Sequence, residues 1–169
     1  HQGLHQIVRQ FQPGTIIFRR GFAPRPAATH MLFDFDGTLS LLRAGWRDIM
    51  GKMFQEILPE KRKESPEARL NIAYEMIDRL TGKDTIFQMY ALHDEVARRL
   101  KTAKPALYYK AKYLERLDDF IADRKAELRR NPAARHKYRV PGALEFLRLV
   151  FEEDSTLYLV SGTDHKYVE

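Results

Sequence analysis

The feature that most constrains the fold is a pair of short apolar runs separated by a long stretch with only helical periodicity. The runs are residues 31–35 and 156–160, and each has the length and composition of a buried strand. The order of strand, helical stretch, helix and strand predicts an α/β fold. We assign residues 31–42 and 138–169 to a partial sheet-containing core, residues 43–137 to a helical insert, and residues 1–30 to an N-terminal extension or linker.

The helical insert contains the start and stop signals of four helices. Apolar residues recur at helical spacing from Trp46 until Pro59 ends the first helix. Ser65 is expected to cap the second helix and Asp84 the third, because short polar side chains bond the free N–H groups of a first turn. The fourth helix is predicted at residues 106–130. The residues expected to face inward on it are Leu107, Leu114, Leu117, Ile121 and Leu128.

A polar cluster follows each predicted strand. Asp34 and Asp36 close the first apolar run, and Ser161 and Gly162 follow the second. In open α/β sheets, ligands bind beyond the carboxyl ends of the strands. Either cluster alone is compatible with a simple turn, since Asp, Gly, Thr and Ser all favour turns. Their occurrence after both strands indicates a site instead.

The spacing of the two aspartates suggests the chemistry of that site. Alternation along an extended segment directs Asp34 and Asp36 to the same side. Two carboxylates held close together repel each other unless a cation lies between them or one takes a proton. Mg²⁺ prefers such oxygen ligands, and a carboxylate can attack phosphorus to form an aspartyl-phosphate.

Three segments resemble motifs of the haloacid dehalogenase-like (HAD) phosphohydrolases. Residues 34–39 (DFDGTL) are similar to the first motif, and residues 159–162 (LVSG) to the second. The helical insert resembles the C1-type cap of the phosphoglycolate phosphatase and β-phosphoglucomutase branch, and residues 139–144 (RVPGAL) resemble the return from it. The resemblance implies a Rossmannoid parallel-sheet core, incomplete in this chain, with an inserted α-helical C1 cap.

The resemblance also implies roles for individual residues. Asp34 would be the nucleophile, and Asp36 the general acid and base. Mg²⁺ would be held by the Asp34 side chain and the Asp36 backbone carbonyl. Ser161 and the backbone N–H of Gly162 would bind phosphate oxygens, and Thr38 would orient Asp36. The second aspartate favours phosphoryl transfer over dehalogenation, because dehalogenases of this superfamily lack that residue.

Substrate specificity is expected to come from the insert. The turn at residues 80–85 joins two of its helices, and in the resembling caps such a turn approaches the site. Lys83 in this turn is therefore a candidate contact for an anionic, small phosphorylated substrate, although an exposed loop lysine would look the same in sequence. Arg43 and Arg47 are weaker candidates, because a solvated helix face also explains them.

Charge and composition limit the partners. The formal net charge of +6 raises nucleic acid as a possibility. Residues 1–30, however, hold four arginines and no acid, so part of the excess belongs to a basic tail. Nucleic acid is therefore not the expected partner. No apolar run reaches the roughly 18 residues that span a bilayer, there is no cysteine, and no signal peptide is recognisable. We expect a cytoplasmic protein without a membrane partner.

The resemblance also implies groups that the sequence through Glu169 does not supply. A HAD site needs a lysine after a third strand and acids after a fourth, so we expect a downstream segment or a partner chain to complete the core. Residues 1–169 alone would then have little phosphatase activity. A phosphomutase of the same branch, a non-catalytic regulatory module and a polynucleotide end-phosphatase are the alternative functions.

Overall fold

The structure is a computed structural model and describes residues 28–161. Two predicted features lie outside the described residues: a short apolar run at residues 15–18, which is a strand candidate by its sequence, and the phosphate-binding candidate Gly162. The elements in chain order are β1 (His30–Asp34), α1 (Trp46–Ile57), α2 (Pro66–Arg79), α3 (Thr85–Leu100), α4 (Ala106–Arg130), a 3₁₀ helix (Pro132–Tyr138), α5 (Ala143–Glu152) and β2 (Thr156–Val160).

The helices of the insert begin where local sequence signals place them. The Ser65 hydroxyl accepts a hydrogen bond from the Ala68 N–H at 3.1 Å, which caps α2. The Asp84 carboxylate accepts one from the Ile86 N–H at 3.0 Å and caps α3. The predicted N-caps are confirmed because these bonds form within a few residues of chain and need no distant partner.

The apolar core of the described residues lies in the insert, where α1 to α4 pack together. It includes Phe54 and Met89, which have no exposed surface. The prediction that Leu107 faces inward is wrong, because its side chain is 69% exposed. The buried stripe of α4 follows the helical spacing of Tyr109, Tyr113 and Leu117, which leaves Leu107 on the outer side.

The sheet consists of β1 and β2, which pair in parallel with Asp34 opposite Val160. The α/β prediction is thus confirmed at this level, with helices predominating. Helix α5 covers one side, where the Phe33 and Phe146 rings meet edge to face at 6.0 Å. None of the helices within residues 28–161 combines the length and apolar character needed to span a membrane.

The chain leaves the sheet and returns to it at one place. The Leu41 N–H donates to the Tyr138 carbonyl at 2.8 Å, and the Val140 N–H donates to the Leu39 carbonyl at 3.1 Å. The two connecting segments therefore run side by side as a short antiparallel pair, just beyond the carboxyl end of β1. This pairing places the insert beside the end of the sheet that carries the predicted site.

Candidate functional site

The two polar clusters lie side by side at one edge of the sheet. Asp34 is the last residue of β1, and its register partner Val160 is the last residue of β2. Because the strands are parallel, Asp36 and Ser161 follow the same edge. The predicted placement of polar side chains at neighbouring strand ends therefore agrees with the register.

A tight turn follows β1 and holds the first cluster in place. The Phe35 carbonyl accepts hydrogen bonds from the Leu39 and Ser40 N–H groups at 3.0 and 2.9 Å, and the Gly37 N–H donates to the Ser40 carbonyl at 2.8 Å. Gly37 has φ +84°, a conformation that other residues rarely adopt. The glycine of the DFDGTL motif thus permits the tight turn that directly follows Asp36.

A cavity of about 290 Å³ lies between these strand ends and the insert. Asp34, Asp36 and Ser161 line it from the sheet, and Lys83 and Lys110 line it from the insert. Three of the site residues predicted at the strand ends and the candidate of the insert therefore share one cavity. Apolar wall comes from Trp46, Leu114 and Leu117.

Thr38 has a different neighbour from the one expected. Its hydroxyl lies 3.5 Å from Asp34 Oδ2, which is longer than the roughly 2.5–3.0 Å of a typical hydrogen bond between oxygens. The expected orienting contact to Asp36 is not the one observed. Because the turn folds Thr38 back toward the strand end, its hydroxyl faces the first carboxylate.

Asp36 forms an ion pair with Arg43, which was one of the weaker candidates for the site. Arg43 Nη1 donates to Asp36 Oδ2 at 3.0 Å, and the two side chains are 21% and 28% exposed. Arg47, the other weak candidate, donates through two nitrogens to Asp78 at 2.7 and 2.6 Å and stacks over the Tyr74 ring. Arg43 therefore belongs to the site, whereas Arg47 joins α1 to α2.

Lys83 lies in the turn between α2 and α3, after Gly82 with its φ of +89°. Its ammonium lies 6.0 Å from the centre of the Phe87 ring and, within residues 28–161, makes no ion pair. Nearby, Lys110 Nζ lies 3.7 Å from Asp84 Oδ1. The insert thus contributes positive charge to the cavity opposite the strand-end carboxylates.

Sequence reasoning missed Lys110 and Tyr113 as cavity residues. With Leu114 and Leu117 they occupy positions i, i+3, i+4 and i+7 of α4, so they form one helical face. A lysine on this otherwise apolar face was the available signal. Burial raises the pKa of Tyr113, with Asp36 adding to the shift and Arg43 opposing it. Its phenol therefore remains protonated at neutral pH.

The donor set is suited to a hard cation but is small. No group of three or more His, Cys, Asp or Glu side chains that could hold a metal ion occurs within the part of the chain that the structure describes. Asp34 and Asp36 nevertheless both line the cavity. Mg²⁺ is commonly held by one or two carboxylates with water and substrate phosphate completing the shell, so these residues fit its chemistry.

Comparisons of the chain with protein-family models, with curated proteins and with solved structures found no match. The functional interpretation therefore depends on the motifs of the sequence and on the geometry of this cavity.

Proposed function

We propose that the protein is a Mg²⁺-dependent phosphatase of the HAD-like kind that hydrolyses a small phosphorylated metabolite. One observation carries the proposal: Asp34, Asp36 and Ser161, from two neighbouring strand ends, face the same cavity as Lys83 of the insert. A nucleophilic carboxylate, a second carboxylate for proton transfer and a phosphate-binding hydroxyl are the groups that this reaction requires.

In the proposed first step, a carboxylate oxygen of Asp34 attacks phosphorus and the bond to the ester oxygen breaks. Asp36 supplies the proton that the leaving alkoxide takes up, which yields the alcohol and an aspartyl-phosphate. In the second step, water gives a proton to Asp36 and attacks phosphorus, so that inorganic phosphate leaves and the Asp34 carboxylate is regenerated.

Asp34 and Asp36 are the residues that would hold Mg²⁺. When bound, the ion would neutralise charge on the phosphoryl oxygens and so allow a carboxylate to approach phosphorus. Ser161 at the end of β2 can donate its hydroxyl proton to a phosphoryl oxygen on the same side of the sheet. These roles keep the phosphoryl group at the strand ends and direct the leaving group toward the insert.

The cavity favours a small substrate. Its volume of about 290 Å³ lies at the lower end of the usual range for small-molecule sites. The wall provided by the insert has Lys83 for an anionic or hydroxylated leaving group and Leu117 for its carbon atoms. Helices of the insert border the opening, an arrangement that suits a metabolite better than a polymer.

The proposal is tested in the full-length protein with the substitution Asp34→Asn. Hydrolysis of p-nitrophenyl phosphate should fall by several orders of magnitude, because the nucleophile is lost. The matched control is Asp94→Asn, which removes an exposed carboxylate of α3 away from the cavity and should retain the parent rate. The parent rate should disappear with a chelator and return with Mg²⁺. A variant at Asp34 that keeps most of its activity would contradict the proposal.

A further inference from the structure

The contact between Arg43 and Asp36 assigns a role to a residue outside the recognised motifs. We propose that Arg43 is a positioning residue that fixes the side chain of Asp36, and that Arg124 of α4 positions Arg43 in turn. The catalytic part of this inference rests on the proposed function. Its structural part, a link from α4 to Asp36, does not.

The ion pair with Asp36 connects Arg43 directly to the site. Its 3.0 Å contact fixes one oxygen of a carboxylate that belongs to a turn rather than to a strand. Both side chains are mostly shielded from solvent, at 21% and 28% exposed, so the attraction is stronger than in a fully solvated pair. Without Arg43, the Asp36 side chain would lose this 3.0 Å contact and the positive charge that it places beside the two carboxylates.

The backbone that carries Arg43 is held by α4. Arg124 Nη1 donates to the Leu42 carbonyl at 2.7 Å and to the Ala44 carbonyl at 2.9 Å. These are the residues on either side of Arg43, so one guanidinium holds both ends of the segment. The Arg124 guanidinium also lies 4.5 Å from the centre of the Phe120 ring, which restricts its own position.

Close packing at the next residue supports this link. Gly45 has φ +99°, and a Cβ built on it would lie 3.1 Å from Cζ of Phe120. A glycine is therefore required both by the backbone conformation and by the approach of α4. The path from α4 through residues 42–45 to Arg43 and Asp36 consists of direct contacts at every step.

The first arm of the test is kinetic and uses the full-length protein with p-nitrophenyl phosphate. Misplacing a catalytic group by about 1 Å can cost on the order of 100-fold in rate, so Arg43→Gln should lower kcat by about 10- to 100-fold. The change in KM should be small, because Arg43 is assigned to Asp36 rather than to the substrate. Arg43→Lys should restore part of the rate.

Arg124→Gln should lower kcat less than Arg43→Gln does, and the double variant should resemble Arg43→Gln. Such non-additivity is expected if Arg124 acts through Arg43. The matched control is Arg116→Gln on the same helix. It removes a 2.6 Å bond to Glu56 of α1 away from the cavity and should leave kcat unchanged. Additive losses, an equal loss in Arg116→Gln, or an effect on KM alone would overturn the inference.

The second arm does not depend on activity. The ¹³C signal of the Asp36 carboxyl should shift in Arg43→Gln and also in Arg124→Gln, but not in Arg116→Gln. An unchanged signal in Arg124→Gln would overturn the link even in a protein with normal kinetics. If Asp34→Asn retains turnover while these signals shift as expected, the phosphatase proposal fails and the positioning of Asp36 by Arg43 stands.

Discussion

The helical insert and the sheet region (residues 28–42 and 138–161) differ in how they bury apolar side chains. In the insert, Phe54, Met89 and their neighbours form a closed core between four helices. In the sheet region, Phe33 and Val150 are the buried apolar residues within the described range. Large side chains on the strands and on α5 remain exposed there; they include Leu32, Phe151, Tyr158, Leu159 and Val160.

The two regions therefore differ in what they contribute: the insert buries most of the apolar surface, and the sheet region carries the candidate catalytic residues. The insert has enough internal packing to hold its four helices together, whereas the catalytic candidates at the strand ends belong to the less packed region. The cavity lies between them, and the insert forms part of its wall. Coverage of the sheet by a downstream segment or partner chain remains a prediction.

Substitutions of large apolar side chains in the two regions should have unequal effects on the free energy of unfolding. Phe54→Ala should lower the free energy of unfolding by about 3–5 kcal/mol, because it opens a cavity in the closed core. Phe151→Ala, at a side chain 72% exposed, should change it by less than about 0.5 kcal/mol. Urea unfolding followed by circular dichroism measures both. Similar losses would mean that Phe151 is covered in the folded protein.

A smaller effect is expected from acid, and it also belongs to the insert. Arg99, only 1% exposed, donates to both carboxylate oxygens of Glu64 at 2.7 and 3.0 Å and to Glu95 at 2.7 Å. The bonds from Arg99 lower the pKa of Glu64 below its ordinary value of 4.5. Burial acts to raise the pKa of Glu95, but hydrogen bonds from Arg98 and Arg99 lower it overall.

The carboxyls of Glu64 and Glu95 have depressed pKa values in the folded state. Their contribution to the free energy of unfolding is therefore present above about pH 4.5 and is lost as pH falls through the pKa values of the folded state. The urea midpoint should therefore decrease from pH 5 to pH 3. Arg99→Met should be less stable than the parent at pH 7 and show a weaker decrease in acid. Arg98→Gln, at a side chain 61% exposed, should keep most of the decrease in the urea midpoint that the parent shows in acid. Identical acid profiles in all three would exclude Arg99 as the cause.

The smallest expected effect concerns Lys83, which is assigned to substrate specificity rather than to the chemical step. If Lys83 contacts an anionic part of the leaving group, Lys83→Ala should raise KM for the physiological substrate at least about tenfold, since a hydrogen bond to a charged group contributes about 1.5 kcal/mol or more. KM for p-nitrophenyl phosphate, which has no such group, should hardly change. Steady-state kinetics with both substrates measures this. Equal changes would assign Lys83 to the phosphoryl group or to stability.

Local signals predicted much of the fold. The caps at Ser65 and Asp84, and the bounds of the helix at residues 106–130, follow from bonds and periodicities that span a few residues. The strand at residues 156–160 was also predicted, whereas β1 begins and ends one residue earlier than expected. Leu107 was misassigned because apolar character alone does not show which side of a long helix meets its neighbours.

The candidate site was predicted only in part, for a related reason. Asp34, Asp36 and Ser161 are recognisable because each follows an apolar strand, a pattern contained within one segment. Lys110 lines the cavity from α4, and Arg43 lines it from the segment before α1, where it contacts Asp36. A lysine on the otherwise apolar face of α4 is a weak sign of Lys110, whereas no local pattern separates Arg43 from an arginine on a solvated surface.

The antiparallel pairing of the two connecting segments means that the insert could be exchanged as a unit. The Leu39 carbonyl and the Val140 N–H are already hydrogen-bonded, so the backbone on either side of the insert is joined before the insert begins. A sequence that starts and finishes at neighbouring points is modular: it can be exchanged for another of different length without moving its flanks. Exchanging residues 43–137 would replace the wall of the cavity together with Arg43 and Arg124, whereas Asp34 and Asp36 belong to the retained backbone.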